Sequence, residues 1–151
     1  MSEEAEQGDP YHRAISLLAR REHSAHELEH KLRNKGFAPA KVAECIARLQ
    51  HERLQSDLRY AESYVHMRVG RGYGPLRIRS ELHERGVAEE YMDSALAEYA
   101  GQWSSFAEQA RCKRFGNALP RDFQERARQA RFLQYRGFAT EHFRNVFTGD
   151  E

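Results

Sequence analysis

KLRNKGFAPAKVAECI (31–46), ELHERGVAEEYMDSAL (81–96) and FLQYRGFATEHFRNVF (132–147) share one grammar. Each places a basic residue, a glycine and an apolar residue in a row: Lys35-Gly36-Phe37, Arg85-Gly86-Val87 and Arg136-Gly137-Phe138. The glycines stand 50 and 51 residues apart. Four residues before each sits a leucine, Leu32, Leu82 or Leu133, and six and ten residues after come Val42/Ile46, Met92/Leu96 and Phe143/Phe147. Glycine tolerates the left-handed backbone that ends a helix, and in such an end the following apolar residue packs on the side chain five positions earlier. The preceding cation faces the negative end of the helix dipole. The later apolar pair is the buried stripe of the next helix. Each segment therefore reads as helix, glycine stop, helix.

On either side of these segments apolar residues keep helical spacing, as in Ile15 and Leu18 or Leu28 and Leu32, and strand-like alternation is missing. Earlier helices are expected at about 12–22, 57–70 and 103–115, leading into helices at about 25–35, 75–85 and 121–136. Ser24 and Glu27 form an S-x-x-E capping box, Asp57 is a cap for the helix it opens, and Pro39 and the Gly74-Pro75 pair suit first turns. The fold class is all-α: three tandem three-helix repeats at 11–56, 57–102 and 103–147. The third carries an insertion around RFGNALP, tolerable in a surface connection. Residues 1–10 read as a disordered acidic tail and 148–151 as a short terminal one.

Bulk composition narrows the function classes. The chain has 151 residues, 40% apolar and 31% charged, with no apolar run near the ~20 residues that span a bilayer. The N-terminus lacks the basic-then-apolar layout of a secretion signal. Cys45 and Cys112 match no disulfide or metal spacing and read as packed thiols, so a cytoplasmic location is expected. The net charge of +1 conceals blocks: residues 11–56 carry nine Lys/Arg against five acids, 57–102 six against eight, and 103–147 nine against four. Two basic blocks flanking an acidic one suit a partner of mixed charge.

One stretch advertises catalysis. HELEH (26–30) matches H-E-x-x-H, in which two histidines four apart on a helix bind zinc and the glutamate acts as base. The capping box already explains Glu27, and the positions equivalent to His26 and His30 are Leu76 and Ser80, then Ala127 and Arg131, so the pair does not recur. No spacing identifies a third ligand. GRGYGP (70–75) lacks the G-K-[ST] ending of a phosphate loop and reads as a helix-to-helix turn. The expectation is no enzyme, no metal and no cofactor, with a His26/Glu27/His30 zinc hydrolase as the remote alternative.

RGYGPLRIRSELHERGV (71–87) resembles the most distinctive stretch of the RecX family, bacterial regulators of the RecA recombinase. The match runs through Gly72, Gly74, Ile78, Leu82, Gly86 and Val87. AISLLARREHSAHELEHKLRNKGF is similar to the family's opening, through Ser24, Glu27, Leu28, Leu32 and Gly36, and FLQYRGFATEHFRNVF to its closing repeat, around Gly137. The resemblance covers about residues 11–147; Gln55-Ser56-Asp57 departs from the family's usual Leu-Asp-Asp and keeps only Asp57. It implies an elongated, curved array of three-helix repeats that lies in the groove of RecA filaments on single-stranded DNA. It further implies restraint of ATP hydrolysis, strand exchange and coprotease activity, without catalytic residues. A monomer is expected. Contact candidates for acidic recombinase surface or DNA phosphate are Arg68, Arg71, Tyr73, Arg77 and Arg79 around the motif, and Arg111, Lys113, Arg114, Arg126, Arg128 and Arg131 in the third repeat. A DNA-binding protein using helix-turn-helix-like pairs is the alternative.

Overall fold

The structure is a computed structural model that describes residues 8–147, all helix and connection with no strand among them. Nine helices follow one another among the described residues: α1 (Pro10–Arg20), α2 (Ala25–Asn34), α3 (Pro39–His51), α4 (Asp57–Gly70), α5 (Pro75–Glu84), α6 (Glu89–Ala97), α7 (Trp103–Phe115), α8 (Phe123–Tyr135) and α9 (Thr140–Phe143). They group in threes, and the last helix of each group packs back on the first.

The glycine stops are built as the repeat implies. Gly36, Gly86 and Gly137 have φ of 96°, 75° and 98°. Behind them, the N–H groups of Phe37, Val87 and Phe138 donate to the carbonyls of Leu32, Leu82 and Leu133 at 3.3, 3.1 and 3.0 Å. The glycine N–H groups donate to Arg33, His83 and Gln134 at 2.9, 3.0 and 3.0 Å, completing the two-bond helix end. A fourth copy closes α4, where Gly72 has φ of 86° and Tyr73 N–H donates to the Arg68 carbonyl at 3.1 Å.

Start signals move two boundaries and change one cap from where the sequence places them. α1 begins at Pro10 because Asp9 accepts the Tyr11 N–H, so Asp9 is its cap and Pro10 its first residue, and neither belongs to the acidic tail. Residues 1–7 and 148–151 of the expected tails lie outside the described residues. α8 starts at Phe123 because Asp122 caps it through the Glu125 N–H. α4 is capped by Ser56, whose hydroxyl accepts from Arg59 N–H, and not by Asp57. The Asp57 carboxylate instead accepts the Ala25 N–H at 2.9 Å, capping a helix in the preceding group.

The three groups do not have three equal cores. Ala14, Leu28, Leu32, Phe37, Val42, Cys45 and Leu49 form one cluster within the first group. A second cluster runs without a break through the other two, from Tyr60 and Val65 over Leu82, Met92 and Trp103 to Leu133, Phe138 and Phe143. The joint between the two clusters is polar. His23, Ser24 and Gln55 are buried there, and Gln55 Nε2 donates to the His23 carbonyl at 3.1 Å and to Asp57 Oδ1 at 2.9 Å. Ser24 Oγ donates to the Arg85 carbonyl at 2.9 Å, and Glu22 pairs with Arg59 at 3.1 Å. Lys31 Nζ can only donate, so His23 Nε2 accepts from it (2.9 Å) and Nδ1–H donates to the Arg21 carbonyl (3.0 Å). Burial pushes this imidazole's pKa below its ordinary value.

The second and third groups lock by backbone instead. Gly74 N–H donates to the Arg136 carbonyl at 2.7 Å and Leu76 N–H to the Gly137 carbonyl at 3.0 Å. A Cβ on Gly74 would lie 2.5 Å from the Gly137 carbonyl carbon, so side chains are excluded by contact and not by torsion. A Cβ on Gly137 would meet Arg77 Cβ at 2.4 Å. Gly74 and Gly137, two of the motif glycines of the sequence, are thus the two halves of one interlock.

Candidate functional site

The contact candidates separate by what already occupies them. Arg111 is fully buried and is no surface contact. Its guanidinium donates to Glu108 at 2.8 and 3.1 Å, to the Ala118 carbonyl at 3.3 Å and to Gln129 Oε1 at 3.3 Å, pinning the inserted connection to α8. These hydrogen bonds hold the Glu108 carboxyl below the usual range. Arg68 is nearly buried, paired with both oxygens of Glu81 at 2.8 and 2.9 Å, and lies 3.7 Å over the Tyr73 ring. Arg79 pairs with Asp93, and Arg128 with Glu125 at 3.4 Å. An exposed pair of this kind contributes little to stability, yet it neutralises the charge a partner would read.

The remaining candidates have no carboxylate partner within ion-pair distance among the described residues: Arg71, Arg77, Lys113, Arg114, Arg126 and Arg131. Arg77 donates to the Tyr135 carbonyl at 3.2 Å and lies over Tyr73 and Tyr135. Tyr73 is therefore walled by Arg68, Arg77 and Arg136 and acts as a spacer between guanidinium groups. Arg126 and Arg131 are exposed on α8.

Arg71, Lys113 and Arg114 meet in one place. They stand on the rim of a groove of about 410 Å³ between the α4 end, α7 and α8. Val69, Phe106, Ala110 and Phe132 line it, with Gln109 and the Gly70-Arg71-Gly72 turn. No acid is among its lining residues. The fourth cation is Arg136, whose guanidinium donates to the Arg71 carbonyl at 3.0 Å and lies 5.0 Å over Phe132. The sequence alone assigns Arg136 to the helix dipole and assigns nothing to Phe106 or Phe132. The only signal for Arg136 is its place in the Arg-Gly-Phe triplet, which the helix end already explains. Its reach to Arg71 depends on the interlock at Gly74 and Gly137. Chemically, the groove offers cationic donors above an apolar, aromatic floor, and lacks any nucleophile–base pair.

The HELEH histidines do something plainer. His26 and His30 are exposed and their rings stack with centroids 6.4 Å apart. The His26 side chain packs on Gly86, where an added Cβ would lie 2.6 Å from its own. The Glu27 carboxylate accepts from Ser24 N–H at 3.1 Å and from Arg21 at 2.9 Å, while Ser24 Oγ accepts Glu27 N–H at 3.1 Å. Burial alone would raise this carboxyl; the Arg21 and Ser24 hydrogen bonds outweigh it and hold it low. The residue that a peptidase would use as its base is thus committed to a cap and an ion pair. Among the described residues no three His, Cys, Asp or Glu side chains converge to hold a metal ion. No helix among them is long and apolar enough to cross a membrane.

Comparison with known proteins agrees with this architecture. Residues 11–49, 56–96 and 107–147 match the family models described as the first, second and third three-helix domains of RecX. The chain is 44% identical over 136 residues to regulatory protein RecX of Pseudomonas fluorescens, spanning 90% of this chain and 88% of the relative. It is 44% identical over 131 residues to that of Halorhodospira halophila, spanning 87% and 81%. A crystal structure of regulatory protein RecX superposes with a TM-score of 0.80 at 22% identity, over 93% of this chain and 72% of that one. RecX from Lactobacillus salivarius gives 0.75 at 22% identity, over 93% of each chain. These likenesses establish the fold, and the family models and curated relatives establish the lineage: the chain belongs to the RecX family of regulatory proteins.

Proposed function

We propose that this protein binds RecA filaments on single-stranded DNA in the cytoplasm and modulates them, chiefly by inhibiting ATPase, recombinase and coprotease activities. It acts by occupancy and not by catalysis. The observation that carries the reading is the sorting of the cations. Arg68, Arg79, Arg111 and Arg128 are neutralised within the chain, whereas Arg71, Lys113, Arg114 and Arg136, around one groove, have no carboxylate partner among the described residues. Unpaired like charges brought together in a fold lower its stability through repulsion, and an anionic partner relieves that cost. A modular array adds many modest contacts along a filament in place of one deep pocket. A monomer suffices for this mode.

The test adds the protein to RecA, ATP and single-stranded DNA while ATP hydrolysis and filament length are followed. Inhibition and shortening at or below stoichiometric amounts are expected; no effect on either refutes the proposal. Tight duplex binding without recombinase, falling steeply with salt, would instead favour the helix-turn-helix-like alternative.

A further inference from the structure

We propose that the groove between α4, α7 and α8 seats one unpaired nucleotide of single-stranded DNA, its base on the Phe106–Phe132 floor and its flanking phosphates on Arg71, Lys113, Arg114 and Arg136. Two features select this occupant over an acidic peptide. Four cations with no acid among the lining residues suit a ligand that carries charge at every repeat of its backbone. An aromatic floor beneath them matches a ligand that alternates charge with a flat ring, and bases of any sequence stack on such faces. At about 410 Å³ the groove is in the range of small-molecule sites, roughly 300–1,000 Å³, and holds about one nucleotide.

The geometry also argues against a duplex. Phe106 and Phe132 are half-buried while Arg71, Lys113 and Arg114 are exposed, so a base meets the rings only after leaving its stack. Arg136 bridges the two parts of the site, lying over Phe132 while donating to the Arg71 carbonyl at 3.0 Å. It therefore holds the turn that presents Arg71. Gly72 is held to glycine by its φ of 86°, since a Cβ there would make only ordinary contacts with the Arg136 guanidinium at 3.4 Å and Ala110 Cβ at 3.8 Å. The choice of DNA among single-stranded nucleic acids rests on the filament-regulator reading.

The test is binding of fluorescent oligo(dT) to the whole chain across a salt series, beside the recombinase ATPase assay. Single-strand affinity falls with salt at a slope of roughly −0.7 per phosphate neutralised, so the two phosphates flanking one nucleotide give about −1.4. Lys113 and Arg114 are exposed, so Lys113→Gln with Arg114→Gln does not lower the melting temperature and brings the slope to about −0.7, with at least tenfold weaker binding. Phe132→Leu keeps apolar bulk and weakens oligo(dT) about tenfold, Phe132→Tyr restores it, and duplex of equal length binds more weakly throughout. Oligo(dT) binding that ignores the Phe132 changes, or duplex bound as well as single strand, overturns the proposal. If both sets of variants relieve recombinase inhibition while oligo(dT) affinity stays constant, the groove takes an acidic protein segment; the nucleotide assignment then falls and the filament reading stands. If oligo(dT) binds as expected while the wild type has no effect on recombinase, the nucleotide site stands and the filament reading falls.

Discussion

Gly74→Ala isolates the interlock between the second and third groups. The residue has φ of −95° and ψ of 171°, ordinary extended backbone that alanine adopts without strain. Any cost therefore comes from contact. The added Cβ would lie 2.5 Å from the Gly137 carbonyl carbon and oxygen and 2.6 Å from Phe138 N, all backbone atoms that cannot rotate away. Relief requires α5 and the Arg136–Phe138 turn to separate. That motion weakens the Gly74-to-Arg136 and Leu76-to-Gly137 hydrogen bonds, at 2.7 and 3.0 Å. Overpacking costs about 1–3 kcal/mol, and two backbone bonds about 0.5–1.5 kcal/mol each, so the loss is roughly 2–6 kcal/mol. Gly101→Ala is the counterpart: its φ of 80° strains alanine, but nothing lies within 4 Å of the new Cβ, so it costs only about 1–2 kcal/mol. Urea unfolding followed by circular dichroism and by Trp103 fluorescence measures both. If Gly74→Ala costs no more than Gly101→Ala, the backbone interlock is not what joins the two groups.

Further outcomes follow from the same contacts. Arg111→Ala leaves Gln129 and the Ala118 carbonyl without their donor and costs roughly 1–3 kcal/mol, read by urea unfolding, with faster hydrogen exchange across 116–122; an unchanged connection contradicts its pinning role. Ser24→Ala removes a helix cap and the bond to Arg85 together, at roughly 1–3 kcal/mol by thermal melting, whereas a loss below about 0.5 kcal/mol argues against a polar joint. His23 has a folded pKa below its unfolded value of 6.5, so the unfolded chain binds more protons between the two. Its contribution is complete above about pH 6.5 and is lost as pH falls toward the folded value; His23→Gln flattens that slope between pH 7.5 and 5.5, and an identical slope refutes the assignment.

The fold is legible in the sequence because its punctuation is local. A glycine after a cation and before an apolar residue specifies a helix end within six residues, and three copies at 50 and 51 residue spacing specify repeats. Helix starts shift where a cap stands elsewhere than expected, as Asp9 does for α1 and Asp122 for α8, while Ser56 replaces Asp57 as the cap of α4 without moving its start. The contact surface is less legible because charge on paper is not charge at a surface. Arg111 looks like its neighbours Lys113 and Arg114, yet it is buried against Glu108 and Gln129 while they face solvent. The Glu108–Arg111 pair sits at helical i,i+3 spacing and is visible in principle; the burial is not. Arg136 reaches Arg71 across 65 positions, a distance no local pattern spans. The buried joint of His23, Ser24 and Gln55 likewise depends on how two groups dock, though its helix cap is readable as S-x-x-E.

The cations without a carboxylate partner among the described residues, and not the paired ones, are those that would engage the filament under the proposed function. This is tested most directly by RecA ATP hydrolysis on single-stranded DNA, titrated with wild type, with Lys113→Gln/Arg114→Gln and with Arg79→Gln/Arg128→Gln. Inhibition by the wild type at or below stoichiometric amounts is expected, with at least tenfold weaker inhibition by the first variant and nearly unchanged inhibition by the second. Equal inhibition by all three, or no inhibition by the wild type, would contradict that expectation.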